Sequence, residues 1–380
     1  MLKVLYVAYF SAVGVAVPFF PPYLFDLGLS AREVSLVLSA APLLHLGVPL
    51  VWGWVADRWQ RPDWLLRAAC VGAALALVPI LGVRSMPWLF GVYLVHQFFA
   101  VSILGLTDSL ALARADKEAY ARTRLWGSLS FLVACLGCGL WLAEGKNPAG
   151  ALVPGLMLSG YVVLAVCSFG VRGQARTGRP RLHQIAALVK NPRFLQLLAI
   201  TPFHWATLAT YHGYLGKLIL DRGFAESVVG YAFVVAVVAE IAAFYAFAVL
   251  ARRFSVPALL AAATLVTSAR WALVAVAPGA VSLVAIQLLH AFSFGLFWAG
   301  AMAWMAEVVP PNLRATGQAI YTGVTFGLGN LAGLSAAGWL YDRTGGAAAA
   351  FSAAAALELI PFALALAARR SSRRTQTSPG

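Results

Sequence analysis

Windows of roughly 20 apolar residues recur from residue 3 to residue 369, and no other feature constrains the fold as strongly. A stretch of that length, wound as an α-helix, crosses about 30 Å of hydrocarbon. Twelve windows are present, near 3–25, 32–55, 64–83, 87–112, 123–143, 149–171, 195–219, 226–250, 256–277, 281–306, 314–340 and 347–369. Lipid offers backbone N–H and C=O groups no partners, so each window must satisfy them internally as a helix. A β-barrel would need ten-residue segments of alternating polarity, and the sequence lacks them. Of the 380 residues 61% are hydrophobic and 11% charged, more apolar surface than a soluble core can bury. The expectation is an all-α membrane protein with twelve transmembrane helices.

The 28 Lys and Arg residues fall unevenly around these windows. The termini and the even-numbered loops hold 21 of them, the odd-numbered loops six, and Arg270 lies within a window. Basic residues resist translocation, so both termini are expected in the cytoplasm and the protein in the plasma (inner) membrane. The net charge of +14 then reads as a topology signal with anionic lipid headgroups as partners, and a nucleic-acid partner is not expected. The segment MLKVLYVAYFSAVGVAVPFF lacks a small-residue cleavage site behind its apolar run and is read as the first helix. Cys70, Cys135, Cys138 and Cys167 all fall within windows, which implies no disulfide framework. The CxxC formed by Cys135 and Cys138 is read as two small packing residues.

The longest polar stretch, RGQARTGRPRLHQIAALVKNPR, has six basic and no acidic residues and divides the chain six plus six. It places an N-terminal six-helix bundle at 1–171, a basic cytoplasmic linker at 172–194, a C-terminal bundle at 195–369 and a cytoplasmic tail at 370–380. RLHQIAALVK suits either a helix lying on the inner membrane surface or a solvated linker. Paired six-helix halves are the plan of transporters whose substrate site lies near the bilayer midplane between the repeats. In the eleventh window Gly323, Gly327, Gly329, Gly333 and Gly338 include two GxxxG spacings, which read as close helix packing.

The loop after the second window, GWVADRWQR, resembles the signature of the major facilitator superfamily. The resemblance implies two pseudo-symmetric bundles and a cytoplasmic gate motif on Gly53, Asp57, Arg58 and Arg61. Gln60 stands where the family usually has glycine, and the counterpart VLARRFS after the eighth window lacks an acid.

Ionisable residues inside the windows are few: Asp108, Arg124, Glu240, Arg270 and His290, and more loosely His45, His96, His204, His212 and Glu358. Such residues usually face a bundle interior or a wet cavity and pair with one another. Two direct ion bridges, Asp108 with Arg124 and Glu240 with Arg270, are the purely structural alternative. For His45, His96, His204 and His212 a hydrogen-bonded core role is the default.

Within the superfamily the chain looks like the branch holding lactose permease and the phenylpropionate permeases. RTRLWGSLSF resembles the start of that branch's fifth helix, and GYAFVVAVVAEIAAF, SARWAL and LLHAF resemble its eighth, ninth and tenth. The resemblance implies substrate contacts from Asp108, Arg124, Phe131, Glu240 and His290, and proton coupling through Glu240, Asp108, Arg270 and His290. Phe131 replaces a sugar-stacking tryptophan, Ala243 an asparagine and Gln287 a lysine, while Ser293 stands at the permease's proton-binding glutamate, so lactose itself is a poor fit. The expected function is proton-coupled import of a small organic solute, an aromatic or organic acid or a sugar-like compound, by a monomer without cofactor or metal. A proton-driven exporter and a transporter-like receptor are the alternatives. No spacing suits a metal site or a nucleophile triad, so an enzyme is not expected.

Overall fold

The computed structural model describes residues 2–59, 61–112, 117–145, 150–172, 186, 188–310 and 313–377. Among them there are helices and no strands. Nine helical segments are long and apolar enough to cross a membrane, from Leu2–Asp26 to Ala348–Arg370. The shorter apolar helix Leu152–Ser168, the 30-residue helix Pro192–Asp221 and the helical run over 314–344 stand at the other three expected windows.

Packing divides the chain into two compact units, Met1–Thr177 with His212–Phe233, and Gly178–Tyr211 with Val234–Gly380. In the first, α1 (Leu2–Asp26) is followed by α2 (Ala31–Leu38), α3 (Ala40–His45), α4 (Val48–Trp59), α5 (Pro62–Leu77), α6 (Met86–Ala100), α7 (Ile103–Leu112), α8 (Lys117–Ala143) and α9 (Leu152–Ser168). A capping box starts α2: the Ser30 hydroxyl accepts from the Glu33 N–H and the Glu33 carboxylate accepts from the Ser30 N–H, serving two of the N–H groups a helix start leaves open.

Helix α1 packs against α8 and α9. A Cβ built on Gly14 would lie 2.7 Å from the Phe131 carbonyl oxygen, so only glycine lets these backbones approach so closely. Pro18, Pro21 and Pro22, residues that usually kink or end a helix, are carried inside α1, which runs on to Asp26. Pro22 has no N–H to offer the Pro18 carbonyl four residues back, and Gly216 packs against that carbonyl, where a Cβ would come within 2.8 Å. A missing side chain therefore accommodates the missing hydrogen bond.

The second-unit chain comprises α10 (Pro192–Asp221), α11 (Glu226–Arg253), α12 (Val256–Val276), α13 (Ala280–Ile286), a π-helical turn over Ala291–Leu296, α14 (Phe297–Val308), α15 (Arg314–Thr322), a second π-helical turn over Gly323–Gly329, α16 (Asn330–Thr344), α17 (Ala348–Leu357) and α18 (Leu359–Thr377). The divide falls within α10 and α11, whose residues 212–233 pack with the first unit. Helix α12 is the hub, packed on α14, α17, α18 and the first π-helical turn. Gly329 and Gly333 meet the backbones of Pro202 and Ala206: a Cβ on Gly329 would sit 2.6 Å from the Pro202 carbonyl, and one on Gly333 would collide with the Ala206 carbonyl. The glycine spacing in the eleventh window thus serves packing, as its sequence suggests. Gly295 likewise lets the first π-helical turn rest on Glu240 and Ala243.

Candidate functional site

The polar residues of the second unit gather around α12. Arg270, fully buried, donates to the Ser293 hydroxyl and the Gln287 side-chain oxygen, and its Nη1 lies 2.9 Å from His290 Nδ1. Its guanidinium carbon sits 4.5 Å from the Tyr211 ring centroid and 4.4 Å from that of Trp271, within the range where an aromatic face attracts a cation. His290 Nε2 lies 3.8 Å from Glu240 Oε2. The imidazole of His290 thus lies between the acid and the arginine, in hydrogen-bond range of Arg270 and in a longer contact with Glu240.

Hydrogen-bond chemistry fixes the imidazole's state. Guanidinium is donor only and stays charged, so His290 Nδ1 must accept from it and carries no proton. The ring is neutral, with its hydrogen on Nε2 facing Glu240. A second proton on this histidine would break the bond to Arg270. Of the acid and the imidazole Glu240 is the more open, its side chain 19% exposed against 5% for His290.

Aromatic rings continue from this trio. His290 stacks on Phe294 at 5.4 Å, Phe294 on Trp298 at 6.2 Å, and Trp205 meets Phe294, Trp298 and Phe326 edge to face. Phe294, Trp298 and Phe326 are partly exposed.

In the first unit the Tyr6 hydroxyl donates to Asp108 Oδ1 in a short hydrogen bond. Asp108 is half-buried on α7. Phe131 lies on α8, partly exposed, with its main chain against Gly14. The side chain of Arg124 is outside the described residues, as are those of Gly53, Asp57 and Arg58 on α4. Of the gate motif Arg61 is described: it lies 3.5 Å from Asp63 and 5.4 Å over the Trp64 ring. Asp63, passed over in the sequence, is buried at the start of α5 and also meets Arg67, which donates to the Val171 carbonyl at 2.7 Å.

The histidines divide by partner. His45 Nδ1 bonds the Ala41 carbonyl at 2.8 Å and His96 Nδ1 the Ala73 carbonyl at 2.9 Å, as core histidines do. His204 is a hydrogen-bonded core histidine too, but with a carboxylate as partner: its Nδ1 lies 2.8 Å from Glu358 Oε1, both side chains fully buried. From sequence alone this pair had no signal beyond two polar residues in separate windows, 154 residues apart. The cysteines are free thiols, and Cys135 contacts the Gly230 carbonyl, consistent with packing.

Known proteins resemble the whole chain. The maltose permease of Geobacillus stearothermophilus is 27% identical over 345 residues, covering 89% of this chain and 86% of that protein. The probable 3-phenylpropionic acid transporter of Escherichia coli (strain K12) is 27% identical over 365 residues, covering 90% of each. Among solved structures, the nucleoside transporter NupG superposes with a TM-score of 0.79 at 18% identity, covering 96% of both chains. A bacterial homolog of the human lysosomal transporter Spinster, inward-facing and unoccupied, gives 0.78 at 12% identity over 100% of this chain and 98% of that one. The model of the MFS_1 like family matches residues 1–353, and with membrane transporters throughout its relatives this multi-pass protein belongs to that family of major facilitator transporters.

Proposed function

We propose that the protein is a proton-coupled symporter that imports a small organic solute by alternating access. The single observation that carries this reading is the relay Glu240–His290–Arg270. It joins a titratable carboxylate to a buried, permanent positive charge through an imidazole whose tautomer is set. When Glu240 is ionised it balances Arg270; when it binds a proton, that balance is lost and the site changes charge. A group whose charge depends on the proton can, beside a bound solute, make the affinities for proton and solute depend on each other. Asp108, held by Tyr6, supplies a second carboxylate in the first unit, and Arg124 and Phe131 on α8 complete the solute-binding set.

The partly exposed rings of Phe294, Trp298 and Phe326 suit a solute with an aromatic or sugar ring. Maltose permease and the phenylpropionic acid transporter are named for one solute of each kind. The 21 basic residues of the termini and even-numbered loops support an inner-membrane protein with both ends cytoplasmic and anionic lipids around it. The two bundles, 1–171 and 195–369, the linker 172–194 and the tail 370–380 are the working parts of this proposal, in a monomer.

A thermal-shift panel of 3-phenylpropionate, maltose and uridine selects the solute class, because a binder raises the melting temperature in proportion to occupancy. Uptake into proteoliposomes, with and without an imposed inward proton gradient, then tests coupling. Accumulation that ignores the gradient rejects the symport reading.

A further inference from the structure

The buried pair His204–Glu358 is not isolated. His204 Nε2 lies 2.7 Å from the main-chain carbonyl of Ser293, the residue whose hydroxyl accepts from Arg270. Thr207 bonds Glu358 Oε1 and lies 2.8 Å from the His204 carbonyl, and the Trp271 indole donates to Thr207 Oγ1 at 3.0 Å. Phe297 stacks on the His204 ring at 3.6 Å. The ionisable groups around the pair are Arg270 and Tyr211, with His290 beside Ser293 and Glu240 behind His290.

The proton count of the pair follows from its partners. A carbonyl only accepts, so His204 Nε2 carries a hydrogen. Its Nδ1 faces a carboxylate oxygen at 2.8 Å, a contact that needs one proton between the two atoms. Imidazolium with carboxylate and imidazole with carboxylic acid both satisfy it, and both are neutral overall. Thr207 fits either form. Its single O–H donates to Glu358 Oε1 in either form, because that oxygen keeps a lone pair for Thr207 while it shares a proton with His204.

We propose that His204 and Glu358 form a second proton-binding site, working in series with Glu240 through Arg270. This rests on the proton-symport reading above. With Glu240 ionised and the pair holding its proton, the carboxylate of partly exposed Glu240 balances the charge of buried Arg270. When Glu240 binds a proton, Arg270 is left as an uncompensated buried charge, which is costly in a low-dielectric interior. Release of the pair's shared proton to water leaves Glu358 as carboxylate beside neutral His204 and restores the balance: one proton enters and one leaves. The gate for that release is the π-helical turn Ala291–Leu296, since its Ser293 carbonyl holds His204 and its Ser293 hydroxyl holds Arg270. A π-helical turn is a one-residue register excess that can relax toward α-helix, and relaxation at Ser293 would unfasten both.

The test uses full-length protein in proteoliposomes, with labelled 3-phenylpropionate as probe, or maltose or uridine where the panel selects one of those. E358Q keeps hydrogen-bonding atoms on both sides but cannot exchange a proton. At a one-unit pH step and zero membrane potential, wild type is expected to accumulate probe about tenfold for one proton per solute. E358Q is expected to fall to about onefold while probe counterflow, which needs no net proton movement, persists. Wild-type-like accumulation by E358Q overturns the proposal, and so does loss of counterflow in folded E358Q, which would make the pair a fastening. A wild type that does not accumulate overturns the symport reading instead, and this proposal with it. A second arm leaves the pair intact and needs no solute: in purified D108N/E240Q, tryptophan fluorescence, read through Trp271 beside Thr207, is expected to remain pH-dependent, and a flat profile overturns the proposal even if E358Q fails to fold.

Discussion

Substituting Arg270 separates its two contributions, charge and fork. In R270K the positive charge stays, but a compact ammonium on a shorter reach replaces a planar group that feeds His290 and Ser293 from one nitrogen and Gln287 from another. At least one buried acceptor loses its donor, at a cost of about 1–3 kcal/mol. In R270Q the charge goes as well, Glu240 loses its balance and the stacking on Tyr211 and Trp271 weakens, which brings the cost to about 3–5 kcal/mol. The order should be wild type, then R270K, then R270Q, with melting temperatures separated by roughly 2 °C or more per kcal/mol. Intrinsic fluorescence of detergent-purified protein reads this, because Trp271 lies directly under the guanidinium. The same variants should alter the pH profile of uptake, since His290 Nδ1, released from Arg270, becomes free to take a proton. An R270K as stable as wild type, or an R270Q more stable than R270K, would refute the assignment of the fork as the organiser of this cluster.

E240Q should abolish gradient-driven accumulation in the proteoliposome assay by at least about tenfold, the factor carried by one proton across one pH unit. Y6F removes a hydrogen bond to the Asp108 carboxylate and should cost about 1.5–3 kcal/mol, read as a lower melting temperature with weaker uptake. G14A forces a methyl onto the Phe131 backbone and should destabilise by about 1–3 kcal/mol, whereas alanine at Gly137, which meets no neighbour, should change stability by less than half of that. D63N removes the buried carboxylate that Arg61 and Arg67 approach at 3.5 Å and should cost about 1–3 kcal/mol in the same melting assay.

Much of the fold was legible because the bilayer leaves so few solutions. Window length sets helix length, and each of the twelve windows holds helix in the structure. The glycines of the eleventh window announced close packing by spacing alone, and their contacts with Pro202 and Ala206 supply the partner that spacing cannot name. The site was legible as a roster and hidden as a wiring diagram. Glu240, Arg270 and His290 stand out as rare ionisable residues in apolar helices, yet that His290 lies between the other two depends on rotations about three helix axes. His204 and Glu358 stand among the ionisable residues of the windows, but their pairing was not legible, because a lone histidine in an apolar helix is usually satisfied by a nearby carbonyl, as His45 and His96 are. The burial of Asp63 was not legible because an acid in the first turn of a helix is usually solvated.

Ser293 answers to two masters by two different atoms, and only one of them is written in the genetic code. Its hydroxyl vanishes on replacement by alanine, which would cut the tie to Arg270; its peptide oxygen survives almost any replacement, so the tie to His204 would persist. A substitution scan at this position would therefore see half of its importance. The other half would surface only through changes that bend the main chain, such as proline nearby, or through an ester bond placed so as to weaken that oxygen.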